Sequence, residues 1–105
     1  MNNNNLVVFE NTELQVMVNN NNEIEMDMDE LAKALDFKEK EYLKKLIARN
    51  SELQSPEYSS IKKVLSYEGG ILKKREKRVF NQDGIFEVAY LANTERAKQF
   101  RRFIK

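Results

Sequence analysis

The 105-residue chain has no cysteine, no histidine and no tryptophan. Without thiols there is no disulfide, no zinc–thiolate centre and no cysteine nucleophile; the absence fits a reducing compartment without requiring one. Without imidazole there is no histidine general base and no histidine-ligated metal. Glycine is scarce at three residues, and proline occurs once, as Pro56. The chain has no Walker loop, no GxGxxG and no GxSxG elbow. No apolar run approaches the roughly 20 residues of a membrane helix. The start, MNNNNLVVFE, lacks the basic region of a signal peptide. These absences point to a soluble, cytoplasmic, non-enzymatic protein with no cofactor, no metal and no membrane partner.

What the chain does have is charge, unevenly placed. Residues 1–60 hold 6 Lys/Arg and 12 Asp/Glu, whereas residues 61–105 hold 12 Lys/Arg and 5 Asp/Glu. Asymmetry of this kind suggests an anionic partner for the basic half. The plainer alternative is that the halves neutralise each other, within the fold or between subunits of a homo-oligomer. Hydrophobic residues at 41% are enough for one modest core, hence a single domain over residues 1–105.

Along the chain, LVVFE, LQVMV and EIEMDM read as strands of a small antiparallel meander over residues 6–26. The run Asn19–Asn22 serves as a turn, because Asn tolerates the left-handed region and makes side-chain turns. Alternation places Glu23, Glu25 and Asp27 on one strand face, expected to be solvated. A calcium loop would need a central glycine and a distal glutamate that are not there. Asp27 and Glu30 have the spacing of a capping box, opening a helix with Met28, Leu31 and Leu35 on one face. After a break at Asp36–Phe37, a second helix carries Tyr42, Leu43, Leu46 and Ile47 inward and Lys40, Lys44, Lys45 and Arg49 outward. Two helices joined by a tight turn can place the second in a DNA major groove, and equally form an ordinary packing unit.

Residues 51–60 read as a linker or exposed loop. Beyond it, IKKVLSY and ILKKREKRVF flank Glu68-Gly69-Gly70 and predict a second hairpin. On its second arm Lys73, Arg75 and Lys77 point one way and Lys74 and Arg78 the other, so the arm is expected to protrude or lie at an edge. Such an arm is suited to phosphate contact, or to blocking edge aggregation. The stretch NQDGIFEVAYLAN predicts a deeply buried helix with Ile85, Phe86, Val88, Ala89, Tyr90 and Leu91 inside. Asn93 stops it and Thr94 caps a last helix. There Ala97, Phe100, Phe103 and Ile104 face the core, leaving Arg96, Lys98, Arg101 and Arg102 outside. The helix dipole favours cations near a C-terminus but not Arg96 in the first turn. The fold class is therefore α+β: a small antiparallel sheet, made of the meander and the basic hairpin, packed against about four short helices.

Two stretches carry a family resemblance. EMDMDELAKALDFKEKEYLKKLI resembles the strand and D-x-A-x-A-L-G-Y helix of the BRO-N domain, the N-terminal module of BRO-family proteins and phage antirepressors. RVFNQDGIFEVAYLANTERAKQFRRFIK resembles that family's second signature, N-E-x-G-L/I-Y/F-x-L followed by a helix of the pattern A-x-x-F-R/K-x-W-V/I. Asn81, Gly84, Ile85 and Phe86 match the first part; Ala97, Phe100, Arg101, Arg102, Phe103 and Ile104 match the second. Asp36 stands in place of the family's glycine, which implies an aspartate in the left-handed region, and Phe103 replaces its tryptophan. Gln82-Asp83 stand where the family often has glutamate. The resemblance spans about residues 6–105 and implies a DNA-binding regulatory module of phage or prophage origin, normally placed ahead of a separate C-terminal domain. Antirepressors of this kind relieve lysogenic repression, some by contacting a repressor protein. The candidate nucleic-acid contacts are Lys73, Lys74, Arg75, Lys77, Arg78, Arg96, Lys98, Arg101 and Arg102, with Lys40, Lys44 and Lys45 as secondary candidates. The alternative is capture of a repressor or other factor through the acidic half.

Overall fold

The computed structural model describes residues 3–36 and 40–104, leaving aside the side chains of residues 3–5, 40, 64, 66 and 67. Strand β1 (Asn3–Phe9) turns into β2 (Thr12–Val18), which turns into β3 (Ile24–Asp27). Helices α1 (Met28–Ala34) and α2 (Lys40–Arg49) follow, then a single 3₁₀ turn at Ser51–Gln54. Strands β4 (Ser59–Glu68) and β5 (Ile71–Phe80) make a long hairpin, and α3 (Gln82–Ala92) and α4 (Glu95–Ile104) close the described chain. The five strands form one antiparallel sheet in the order β1-β2-β3-β5-β4. The expected α+β class and both hairpin regions are therefore present.

Three turns set the register. Glu10 and Asn11 both take positive φ (51° and 61°), as do Gly69 and Gly70 (60° and 80°). Positive φ at both central residues is the turn whose twist suits a two-residue hairpin. The asparagine turn works as its composition suggests: Asn19 Oδ1 accepts from the backbone N–H of Asn21 and Glu23, and Asn22 takes φ 62°. Asp36 stands at φ 58°, so an aspartate does occupy the left-handed position after α1.

Alternation sends Phe9, Leu14, Val16 and Met26 to the face that the helices cover. There they meet Leu31 of α1 and Leu35 at its C-cap, Leu43 and Ile47 of α2, Ile85 and Val88 of α3, and Phe100 of α4. The stretch 51–60 is not a free loop. Leu53 is fully buried, and the Ser59 hydroxyl donates to the Leu53 carbonyl at 2.6 Å, locking the 3₁₀ turn onto β4. Three aromatics expected in the core are substantially exposed: Tyr42, Tyr90 and Phe103. Phe103 lies at the end of α4 and packs one flank on Phe9, with ring centroids 5.0 Å apart. Tyr90 turns outward beneath the guanidinium of Arg101.

Asn81 and Gly84, which carry part of the family resemblance, have structural tasks. Asn81 caps α3 by accepting from Gly84 N–H at 2.8 Å, and its Nδ2 donates to the Glu57 carbonyl at 2.8 Å. Gly84 lies against the Tyr58 carbonyl so closely that a Cβ would collide with it. Gly84→Ala is expected to cost about 3 kcal/mol, the upper end of the usual overpacking range. Gly69→Ala, with no atom near its Cβ position, should cost only left-handed strain of about 1 kcal/mol. Urea denaturation of the two variants measures the difference; equal costs would contradict this packing.

Candidate nucleic-acid interface

Strand β3 pairs with β5 only at Met26–Phe80 and Asp27–Val79. The β4–β5 ladder continues for eight further residue pairs, from Ile61–Arg78 to Glu68–Ile71. At the rise of a strand this is a two-stranded ribbon of about 25 Å, projecting past the end of β3. Opposite residues in an antiparallel ladder share a face. One face therefore carries Lys62, Lys73, Arg75 and Lys77, and the other carries Lys63, Lys74 and Arg78 with the exposed apolar residues Ile61, Leu65 and Leu72.

The base of the ribbon is neutralised by the acidic half. Lys77 Nζ lies 3.1 Å from Asp29 and 3.9 Å from Asp27, and Lys62 Nζ donates to Glu25 at 2.9 Å. This corrects the expectation of a solvated carboxylate face: Glu25 and Asp27 are buried, because the lysines of β4 and β5 lie over them. Glu30 is also engaged, accepting from the Gln15 backbone N–H at 2.7 Å where β3 no longer covers β2. Asp27 additionally caps α1, accepting from Glu30 N–H at 2.9 Å. The capping box is thus one-sided, since the Glu30 side chain turns to β2.

Burial pushes the Asp27 carboxyl above the ordinary 3.8, outweighing the capping bond and the charge of Lys77, which act the other way. Burial by itself would lower Lys77; the bond to Asp29 and the charges of Asp27 and Asp29 carry it above its usual value instead.

Towards the tip the charges are freer. Arg75 forms a two-pronged pair with Glu68, both bonds 2.8 Å, on the exposed surface. Arg78, back at the base, donates to the Ser59 hydroxyl at 2.8 Å. Lys63, Lys73 and Lys74 are exposed, and no ion pair holds them among the described residues. Lys63 was missed in the sequence; the register set by Gly69-Gly70 places it opposite Glu76 and on the same ribbon face as Lys74.

The second basic region is α4. Thr94 caps it as expected, its hydroxyl accepting from Ala97 N–H at 3.1 Å. Arg96 is not a surface cation. Its Nε donates to the Ala34 carbonyl at 3.1 Å, its Nη2 to Thr12 at 3.3 Å, and its guanidinium lies 5.1 Å over the Phe9 ring. Ala34 ends α1, so Arg96 serves the unpaired carbonyls and negative dipole end of another helix. That accounts for a cation in the first turn of α4. Lys98, Arg101 and Arg102, spaced i, i+3 and i+4, share a face of α4 and line a cavity with Phe86 of α3. Arg101 stacks over Tyr90 at 5.5 Å, and its Nε is shut off from solvent without a hydrogen-bond partner among the described residues.

The ribbon grows from the β5–β4 edge of the sheet, whereas α4 packs on Phe9 of the opposite edge strand. The candidate residues thus fall into two basic regions rather than one. On α2, Lys44 bonds Glu41 at 3.4 Å and Lys45 is exposed, while the Lys40 side chain lies outside the described residues. No hydrogen bond or ion pair among the described residues joins Lys44 or Lys45 to either region. Among the described residues no group of acids is arranged to hold a metal ion, and no helix is long and apolar enough to cross a membrane.

Two outcomes follow from this geometry. Asp27→Asn keeps a good cap, whereas Asp27→Ala loses about 1 kcal/mol. Because the folded-state pKa is raised, the ionised form weighs against folding, and stability from this group falls as pH rises from 3.8 through the folded value. Denaturation across that window should therefore show Asn gaining on the wild type with rising pH; a constant difference would refute the assignment. Arg96→Ala should cost about 1.5–3 kcal/mol, as expected for hydrogen bonds made by a charged group. Arg102→Ala, on an exposed residue, should stay within about 0.5 kcal/mol. Thermal or urea unfolding distinguishes the two.

Comparison with known proteins finds no matching family model, no matching curated protein and no matching solved structure.

Proposed function

We propose that the protein is a non-enzymatic DNA-binding regulator of the phage antirepressor type, acting in the cytoplasm of a bacterial host. The observation that carries this reading is the division of charge along the β4–β5 ribbon. Its base is neutralised by Glu25, Asp27 and Asp29, while Lys63, Lys73 and Lys74 stand beyond the reach of those acids. Cations held away from internal partners favour an external anion. A two-stranded ribbon also has dimensions that a major groove about 12 Å wide admits. The resemblance of residues 6–105 to the BRO-N pattern supports the same class of function.

In this reading Lys63, Lys73 and Lys74 contact phosphates from the ribbon, and Arg75 joins them by exchanging its exposed Glu68 partner for a phosphate. Lys98, Arg101 and Arg102 make a second contact from α4. Arg96, Lys77 and Arg78 hold these elements in place. If about five phosphates are neutralised, log affinity should fall with log salt at a slope of roughly −4 to −5. Titration of duplex DNA at three salt concentrations measures this. Lys73→Ala with Lys74→Ala should reduce the slope by about 2. A flat salt response, or an unchanged slope in the double variant, would remove the proposal.

A second reading has its own support: the exposed row Ile61, Leu65 and Leu72 on one ribbon face suits a protein partner such as a repressor. The acidic half, the earlier motive for protein capture, is less available, because Glu25, Asp27, Asp29 and Glu30 are bonded internally. Under this reading Leu65→Ser and Leu72→Ser abolish repressor capture in a pull-down, and Lys73→Ala with Lys74→Ala does not.

A further inference from the structure

We infer that the cavity between α3 and α4 is a binding site for a nucleoside phosphate, with the phosphate on Arg101 and its neighbours and the base on Phe86. The inference rests on the reading of α4 as a phosphate-contacting element and gives that element a specific ligand. The cavity measures about 370 Å³ and is lined by Phe86, Lys98, Arg101 and Arg102, a size near the lower end of the roughly 300–1,000 Å³ of small-molecule pockets.

Helical spacing gathers the three cations. The helix dipole favours Arg101 and Arg102 in the last turn of α4, but adding Lys98 at i−3 and i−4 sets like charges on one face, which works against the helix. Glu87 and Glu95, the nearest acids in sequence, form no ion pair with them among the described residues. Arg101 is held by its stack on Tyr90, yet its Nε is buried without a partner. The stack holds the guanidinium in place while the side chain lines the cavity beside Lys98 and Arg102, so a ligand entering there meets a positioned cation. Phosphate suits it, since Arg presents a planar fork to such oxygens. The aromatic wall distinguishes this site from a bare anion hole: a base can stack on Phe86 while its phosphate reaches the cations, as stacking on aromatics does for single strands.

The test titrates the full chain with adenosine monophosphate, adenosine and inorganic phosphate, following side-chain NMR signals of Phe86 and Tyr90. Saturable binding of the monophosphate is expected, with adenosine and inorganic phosphate each weaker. Arg101→Gln should weaken the monophosphate about tenfold, the loss of one charge-assisted contact. Lys98→Gln, on an exposed residue, should weaken it several-fold and serves if Arg101→Gln does not fold. Phe86→Leu should weaken the monophosphate but not inorganic phosphate. Absence of saturation at millimolar monophosphate overturns the inference, as does equal binding of adenosine, or indifference to Arg101→Gln and Lys98→Gln. Equal binding of inorganic phosphate with no effect of Phe86→Leu also overturns it, leaving an anion site only. Lys73→Ala with Lys74→Ala should leave monophosphate binding unchanged while weakening duplex binding, so the ribbon's role and this site fail separately. Competition by a single-stranded oligonucleotide through Arg101 would place the nucleotide in a strand; saturation without competition would make it free. Either supports the site.

Discussion

Asp27 is the residue on which the shape of the molecule turns. It is the last residue of β3 and the N-cap of α1 at once. Because its side chain closes the first turn of the helix, the chain must leave the sheet there, and β5 is left without a neighbour on that side. The ribbon projects as a direct consequence. Lys77, two residues beyond the last β3–β5 pair, folds back over the buried carboxylate, so the same residue that ends the sheet also anchors the ribbon's base. Burial raises the cost of the ionised Asp27, and the capping bond and Lys77 partly offset it.

The acidic and basic halves do meet, but only in part. Lys62 and Lys77 cover Glu25, Asp27 and Asp29 across strands far apart in sequence. That accounts for much of the early carboxylate without any partner molecule. It also sorts the cations, separating those that hold the fold from those the fold leaves exposed. Arg96 belongs with the first group although it sits in a strongly basic stretch of the chain. Its neighbours Lys98 and Arg102, a few residues away, belong with the second, while Arg101 is half-buried against Tyr90. Proximity in sequence is thus a poor guide to function among these side chains, because one helical turn separates a core-facing position from a surface one.

Much of the fold was legible. The Asn19–Asn22 turn, the Gly69-Gly70 turn, the Asp27 and Asn81 boundaries and the stop at Asn93 rest on local chemistry that a few residues carry by themselves. Helical spacing identified Leu31, Leu35, Leu43, Ile47, Ala97 and Phe100 as core. The misreadings concern longer range. Residues 51–60 look like a linker until Leu53 is seen under Ser59. Tyr42, Tyr90 and Phe103 look like core because hydrophobic spacing does not say where a neighbouring element ends.

Local backbone preference and periodicity act within a few residues, so the sequence by itself determined the elements, their caps, the tight turns and the surplus of positive charge in the later half. The tertiary structure decided which cations are neutralised, how far the ribbon extends, and that Arg101 lies in a cavity beside Phe86. Those outcomes depend on Coulomb and packing contacts between segments dozens of residues apart. No local pattern encodes such contacts until the strand order and register bring the partners within a few ångströms.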